Sequence, residues 1–378
     1  MMSAMSALPP PRDPVAALRA LLPPTGAGIH LDAATAGPSL AETAAALTEA
    51  DAHELRVGRG GPDHPADAAF RREEAAGVVA AILGALPDTV VVADGLRAVT
   101  LAAIAALRLP GTPLLLHPGL ERGLSTAIRA ALPDAAELPS GTSLPAGARV
   151  VAPAVRDDTG ARVEIPALAA AVRGAGGRLL LDATLLAGAF PVDAPASGAD
   201  GIVLATDRWL LGPDGSAAAW LRDPDGPARL RAIVDPLPRR SALGLGRSVG
   251  WLLMYAGLPW VHERTAAAVA RLHAALSAIP GVTVQAPLSA SAALLVVRIA
   301  GWDADDAADE LGRRVFAIVG RDTDAGTLRL SPGAWTTDAE IDRFAAALAE
   351  IAEHTPESLP RRPALVVFSG ADAGPEAP

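Results

Sequence analysis

Residues 178–221 read RLLLDATLLAGAFPVDAPASGADGIVLATDRWLLGPDGSAAAWL, and this stretch decides the fold. Its opening run, 178–181, is short and apolar after Arg178 and is closed by Asp182, the pattern of a buried parallel strand ending at a site. A second such run, 201–205, ends in Thr206-Asp207-Arg208-Trp209, and a third, 216–221, follows the turn Gly212-Pro213-Asp214-Gly215. Three strand ends are thus expected to gather polar groups near one another.

Upstream, the strand-like runs 90–92, 113–116 and 149–152 alternate with helical patterns over 68–86 and 99–107. That alternation predicts a mostly parallel α/β sheet with its site at the carboxyl ends of the strands. A short amphipathic helix over 15–22 stops at Pro23-Pro24, and 50–66 reads as an irregular loop. Beyond a Pro- and Arg-rich passage, 222–247, a helical stretch from 249 passes Trp251, Trp260 and His262 into 266–278. A smaller α+β unit follows, with strands at 282–285, 292–299, 315–319 and 327–330 and helices at 305–313 and 338–354. The last helix opens on Thr337-Asp338-Ala339-Glu340, a capping box. The expected division is a disordered start (1–13), a large domain (14–250), a small C-terminal domain (251–357) and a flexible tail (358–378).

Composition narrows the function classes. The 378 residues carry 42 acidic and 32 basic side chains, a net charge of -10, which argues against nucleic acid or an anionic membrane as partner. There is no cysteine, so disulfides, thiolate metal sites and a cysteine nucleophile are excluded. The seven histidines show no pair at metal-ligand spacing, and the run Asp303, Asp305, Asp306, Glu310 reads as a helix start whose charges suit the dipole rather than a calcium loop, so no metal is expected. The opening MMSAMSALPPPRDP lacks a basic start and a continuous apolar core, which makes the cytoplasm the expected location.

The long stretch resembles the core of the class V aminotransferase family, fold-type I pyridoxal phosphate (PLP) enzymes that include cysteine desulfurases, isopenicillin N epimerase-like proteins and the ergothioneine carbon-sulfur lyase. The matching residues are Asp182-Ala183-Thr184-Leu185, Pro191-Val192-Asp193, Gly198-Ala199-Asp200, Thr206-Asp207-Arg208-Trp209 and Gly212-Pro213-Asp214-Gly215. Ile29-His30-Leu31-Asp32-Ala33-Ala34-Thr35, Asp157-Asp158-Thr159-Gly160 and Thr327-Leu328-Arg329-Leu330-Ser331-Pro332 resemble further family segments, so the likeness spans about residues 28–356. It implies a fold-type I architecture and a homodimer with sites near the subunit boundary.

The resemblance also implies roles. Asp182 aligns with the carboxylate that pairs with the pyridine nitrogen, His117 lies near the ring-stacking histidine, and Gly95 and Leu96 fall in the phosphate cradle, where Asp94 would repel a phosphate and Arg97 would partly compensate. Asp157 takes the place of a cofactor-contacting Asn, and Arg329 that of the arginine gripping the substrate carboxylate. Where the family has its Schiff-base lysine, this chain has Arg208, and no lysine occurs anywhere in it. A guanidinium stays protonated and cannot condense with an aldehyde.

The expectation is therefore a repurposed or degenerate, PLP-independent protein that forms no internal aldimine and binds a small, carboxylate-bearing, amino-acid-like ligand. Asp182, Asp207 and Arg208 would then form a buried ion-pair network. The alternative is an enzyme that holds PLP noncovalently and acts on an amino acid, such as a carbon-sulfur lyase of the ergothioneine type. Asp207 or His117 would move the proton there, beside Arg208.

Overall fold

Twelve strands among the described residues build two sheets in the computed structural model, which describes residues 13–107, 111–139 and 144–360. The expected disordered start, apart from Asp13, and the tail beyond residue 360 lie outside the described residues. In chain order the strands are β1 (Ile29–Leu31), β2 (Val90–Asp94), β3 (Leu114–Leu116), β4 (Ala136–Glu137), β5 (Arg149–Pro153), β6 (Arg178–Asp182), β7 (Gly201–Ala205), β8 (Ser216–Leu221), β9 (Val282–Val284), β10 (Leu295–Ile299), β11 (Ala317–Asp322) and β12 (Thr327–Leu330).

The large sheet has the order β2-β8-β7-β6-β5-β3-β4, with β8 antiparallel to both neighbours and the other pairs parallel. Its inner strands are apolar on both faces, as a covered parallel sheet requires, while the edge strand β4 is exposed. Val90, Val92, Leu179, Leu181, Ile202 and Leu204 point into one core layer. Val91, Leu180 and Val203 alternate into a second layer, against Val99 and Ile104 of the helix Leu96–Ala106 and Leu124 and Ile128 of the helix Arg122–Ala131. The third apolar run was expected to bring its end to the site. The turn before it, with Gly215 at φ +75°, sends the chain straight back, so the beginning of β8, Ser216, lies there instead.

The smaller sheet is mixed, in the order β1-β11-β12-β10-β9, with β1 parallel to β11 and the remaining pairs antiparallel. Its edge strand β1 comes from the N-terminal part of the chain. The division expected at residue 250 falls inside the helix Arg239–Trp251. One expectation fails outright: residues 50–66 are mostly helical, divided between the helices Ala41–Val57 and His64–Ile82. The Ala-, Glu- and Leu-rich run sustains the first helix as far as Gly58, at φ +83°, where it stops. Among the described residues no helix is long and apolar enough to cross a membrane.

Candidate functional site

The loops after β1, β5 and β7 and the start of the helix Arg122–Ala131 meet the β11–β12 hairpin around a cleft of about 470 Å3. Thr35, Glu121, Arg122, Asp157, Arg208, Asp322, Asp324 and Arg329 are among the residues that line it. The structure thus brings together three of the residues singled out from sequence, Asp157, Arg208 and Arg329. Gly95, Leu96, Arg97, His117, Asp182 and Asp207 are not in this lining, although Asp207 is the chain neighbour of Arg208.

Backbone contacts fix the position of Arg208. The Gly37 amide donates to the Asp207 carbonyl at 2.8 Å, and a Cβ on Gly37 would stand 2.0 Å from the Arg208 carbonyl oxygen, so only glycine lets the loop after β1 lie this close. On the other side Leu211, at φ +58°, donates its amide to the Arg208 carbonyl at 3.2 Å. The next side chain, Trp209, is buried and donates from Nε1 to the Pro332 carbonyl at 2.8 Å, which ties this loop to the smaller sheet.

The Arg208 guanidinium is poorly matched. Its Nη1 lies 3.2 Å from Asp207 Oδ1, but Nε is buried without an acceptor and Oδ1 of Asp207 is buried without a donor. The other Asp207 oxygen accepts from the Gly215 amide at 3.2 Å. Asp32 stands near both Arg208 and Arg329. Burial pushes its carboxyl above the usual range, against the opposing pull of Thr35 and the two arginines, and its Oδ1 has no donor.

Arg329, by contrast, is held by Asp157. It donates from Nη1 to the Asp157 carbonyl at 2.7 Å and from Nη2 to Asp157 Oδ1 at 2.6 Å. Burial raises the Asp157 carboxyl, and Glu121 and Asp322 add to the rise, while Arg329 opposes it. A second link crosses the cleft mouth, from Arg122 to Asp322 and Asp324.

Asp182 does not join the expected ion-pair network with Asp207 and Arg208. Its Oδ1 accepts from the Thr184 amide at 2.9 Å, no cation among the described residues pairs with it, and burial raises its carboxyl to about 6. The Thr206 hydroxyl is shared with Ser216 Oγ at 2.6 Å. His117 accepts from the Gly119 amide at Nδ1 (3.0 Å), and burial, followed by the charge of Arg156, lowers its pKa. Gly95, at φ +80°, opens the helix Leu96–Ala106 and donates its amide to the Gly215 carbonyl at 2.7 Å. The guanidinium of Arg97 stands near Gly123, at the start of the helix Arg122–Ala131. The sequence reading missed Glu121, Arg122, Asp322 and Asp324, which no local spacing marks; Asp32 was visible within the quoted run 29–35 but was given no role.

The two sheets and their strand order define the fold of the fold-type I PLP-dependent enzymes. No family model matches the sequence, and no curated protein does. Among solved structures the chain is similar to a lysine-to-alanine variant of C-DES with glycine covalently linked to its PLP cofactor, at a TM-score of 0.78 and 15% identity over 88% of this chain and 98% of that one. It is similar as well to a cysteine desulfurase from Thermococcus onnurineus NA1 (TM-score 0.74, 17% identity, 92% and 100% covered) and to the cysteine desulfurase CsdA from Escherichia coli (0.71, 17%, 89% and 97%).

The residues present do not fit a covalently held PLP. No side-chain amine exists in the sequence to condense with the aldehyde, and Arg329 already holds a carboxylate of the chain itself. Asp182 alone keeps a form suited to a protonated ring nitrogen, a buried carboxylate with no cation of its own.

Proposed function

We propose that this protein is a lysine-free relative of the class V aminotransferases that has left covalent PLP chemistry and binds a small carboxylate-bearing molecule through Arg208. The observation that carries this reading is the poorly matched guanidinium of Arg208, which lines a cleft that a small molecule fits and whose Nη1 has only Asp207 Oδ1, at 3.2 Å, for a counter-charge while its buried Nε has no acceptor. A planar fork of donors suits a carboxylate, which would supply the acceptors that Asp207 does not. The chain's own groups bind and orient; no proton transfer or bond cleavage is assigned to them.

Titration calorimetry with succinate tests this. The native protein should bind it, and Arg208→Gln should weaken binding about tenfold or more, as expected for loss of a charge-assisted pair. Equal affinity in the two proteins, or no heat with the native one, would overturn the reading.

A second reading, noncovalent PLP acting on an amino acid as in a carbon-sulfur lyase, is favoured by one observation, the enclosed and unpaired Asp182 carboxylate. Adding PLP to native protein and to Arg208→Lys, with absorbance and heat followed together, separates the two. No binding to the native protein sinks the second reading. Binding without a spectral shift, with the shift appearing in Arg208→Lys, would support it. A homodimer is part of either reading and is open to sedimentation; Met254 and Tyr255, on the π-helical turn Leu252–Ala256, stand 76% and 73% exposed.

A further inference from the structure

We infer that Asp157 is a built-in carboxylate that keeps Arg329 out of ligand recognition, as Asp322 and Asp324 hold Arg122 and Asp305 and Asp309 hold Arg321, so that the cleft reads anions through Arg208. The inference rests on the reading of Arg208 as the anion receptor and adds the residue that sets which arginines a ligand can reach. Both Arg329 contacts come from one residue, the carbonyl at 2.7 Å and Oδ1 at 2.6 Å, and the side chains of the pair are 13% and 17% exposed, so little solvent separates or replaces them.

The pair also joins the two sheets, since Asp157 follows β5 of the large one and Arg329 lies in β12 of the smaller. A simple carboxylate that displaced Asp157 would leave it enclosed beside Glu121 and Asp322, both already unfavourable to its charge. The cleft therefore discriminates against ligands that need a second anionic anchor, and the discriminating group is one side-chain charge. Asparagine at this position would keep an acceptor for Nη2 and the same carbonyl for Nη1, so Arg329 would stay in place without the Asp157 charge, with Asp32 the carboxyl still near it.

The experiment compares succinate binding to the native protein, Asp157→Asn, and Asp157→Asn with Arg329→Gln. The single variant should bind succinate about tenfold more tightly or better, and the double variant should lose that gain. A folded Asp157→Asn with native or weaker affinity would overturn the inference, as would a gain that survives Arg329→Gln. Should Asp157→Asn not fold, Asp157→Ser removes the same charge with a shorter polar side chain and carries the same two outcomes. Adding Arg208→Gln to Asp157→Asn separates this inference from the reading beneath it. A gain that persists without the Arg208 guanidinium leaves Asp157 as the blocking group and counts against Arg208 as the receptor.

Discussion

A carboxyl group enclosed at a strand end with no cation beside it resists ionisation, and Asp182 is in that position. Its folded pKa, about 6, stands above the 3.8 of a free aspartate, so between these values the native state holds a proton that the unfolded chain has released. Stability contributed by this group is complete below about pH 4, falls as pH rises through the window and stays lost above it, a cost of roughly 3 kcal/mol at neutral pH. Asp182→Asn keeps an acceptor for the Thr184 amide and carries no charge. It should raise stability by about 2 kcal/mol at pH 8 and leave it unchanged at pH 4, read from urea denaturation across that range. At this scale Arg208 and Arg329 of the cleft were legible, because each stands at the end of a quoted strand-like run or within one. Asp157 was singled out as well, but its pairing with Arg329 was not legible, since 172 residues separate the two and no periodicity reports a contact at that range.

Elements here are fixed by their ends. The last helix, Asp338–Ala352, starts on the capping box anticipated from Thr337 and Glu340, in which Glu340 accepts from the Thr337 amide at 2.9 Å and Thr337 Oγ1 accepts from the Glu340 amide at 3.2 Å. Unseen in the sequence was a third participant, Arg19, which donates to Glu340 at 2.9 Å and to the Trp335 carbonyl at 2.9 Å, linking the helix Pro14–Ala20 to the last one. Thr337→Ala should cost about 1 kcal/mol, the ordinary value of a cap. Glu340→Ala should cost about 2 to 3 kcal/mol, because it also leaves a half-buried guanidinium without its anion. Thermal or urea unfolding of the two variants would show the order, and equal losses would remove Arg19 from the account. Residues 50–66 depart from the expected loop for a reason at this same scale: Gly58 ends the helix Ala41–Val57 without weakening the turns it follows.

For the molecule as a whole, the two sheets share one core layer, while the second layer belongs to the large sheet. One continuous apolar cluster holds Val92 and Ile202 of the large sheet together with Val297 and Leu328 of the smaller. That cluster crosses the expected boundary between 14–250 and 251–357, and we expect a single cooperative transition. Far- and near-ultraviolet circular dichroism should trace the same urea curve; two separated midpoints would show that the sheets unfold apart. The Arg122 pairs across the cleft mouth are solvent-exposed and should add little, so Arg122→Ala is expected to shift stability by less than about 1 kcal/mol.

The place of β1 bears on how this protein can be handled. Residues 29–31 complete a sheet whose other strands begin some 250 positions later, with Ile29 opposite Ala317 and Leu31 opposite Val319. A polypeptide begun after that strand would present β11 with a bare row of amides and carbonyls, beside Phe316 and Ile318, which are already 48% and 44% exposed. Such a fragment is a template for foreign strands, so the C-terminal half, cut out by itself, would be prone to stick to its own copies. A synthetic peptide spanning the missing strand, supplied in trans, would be its natural solubiliser.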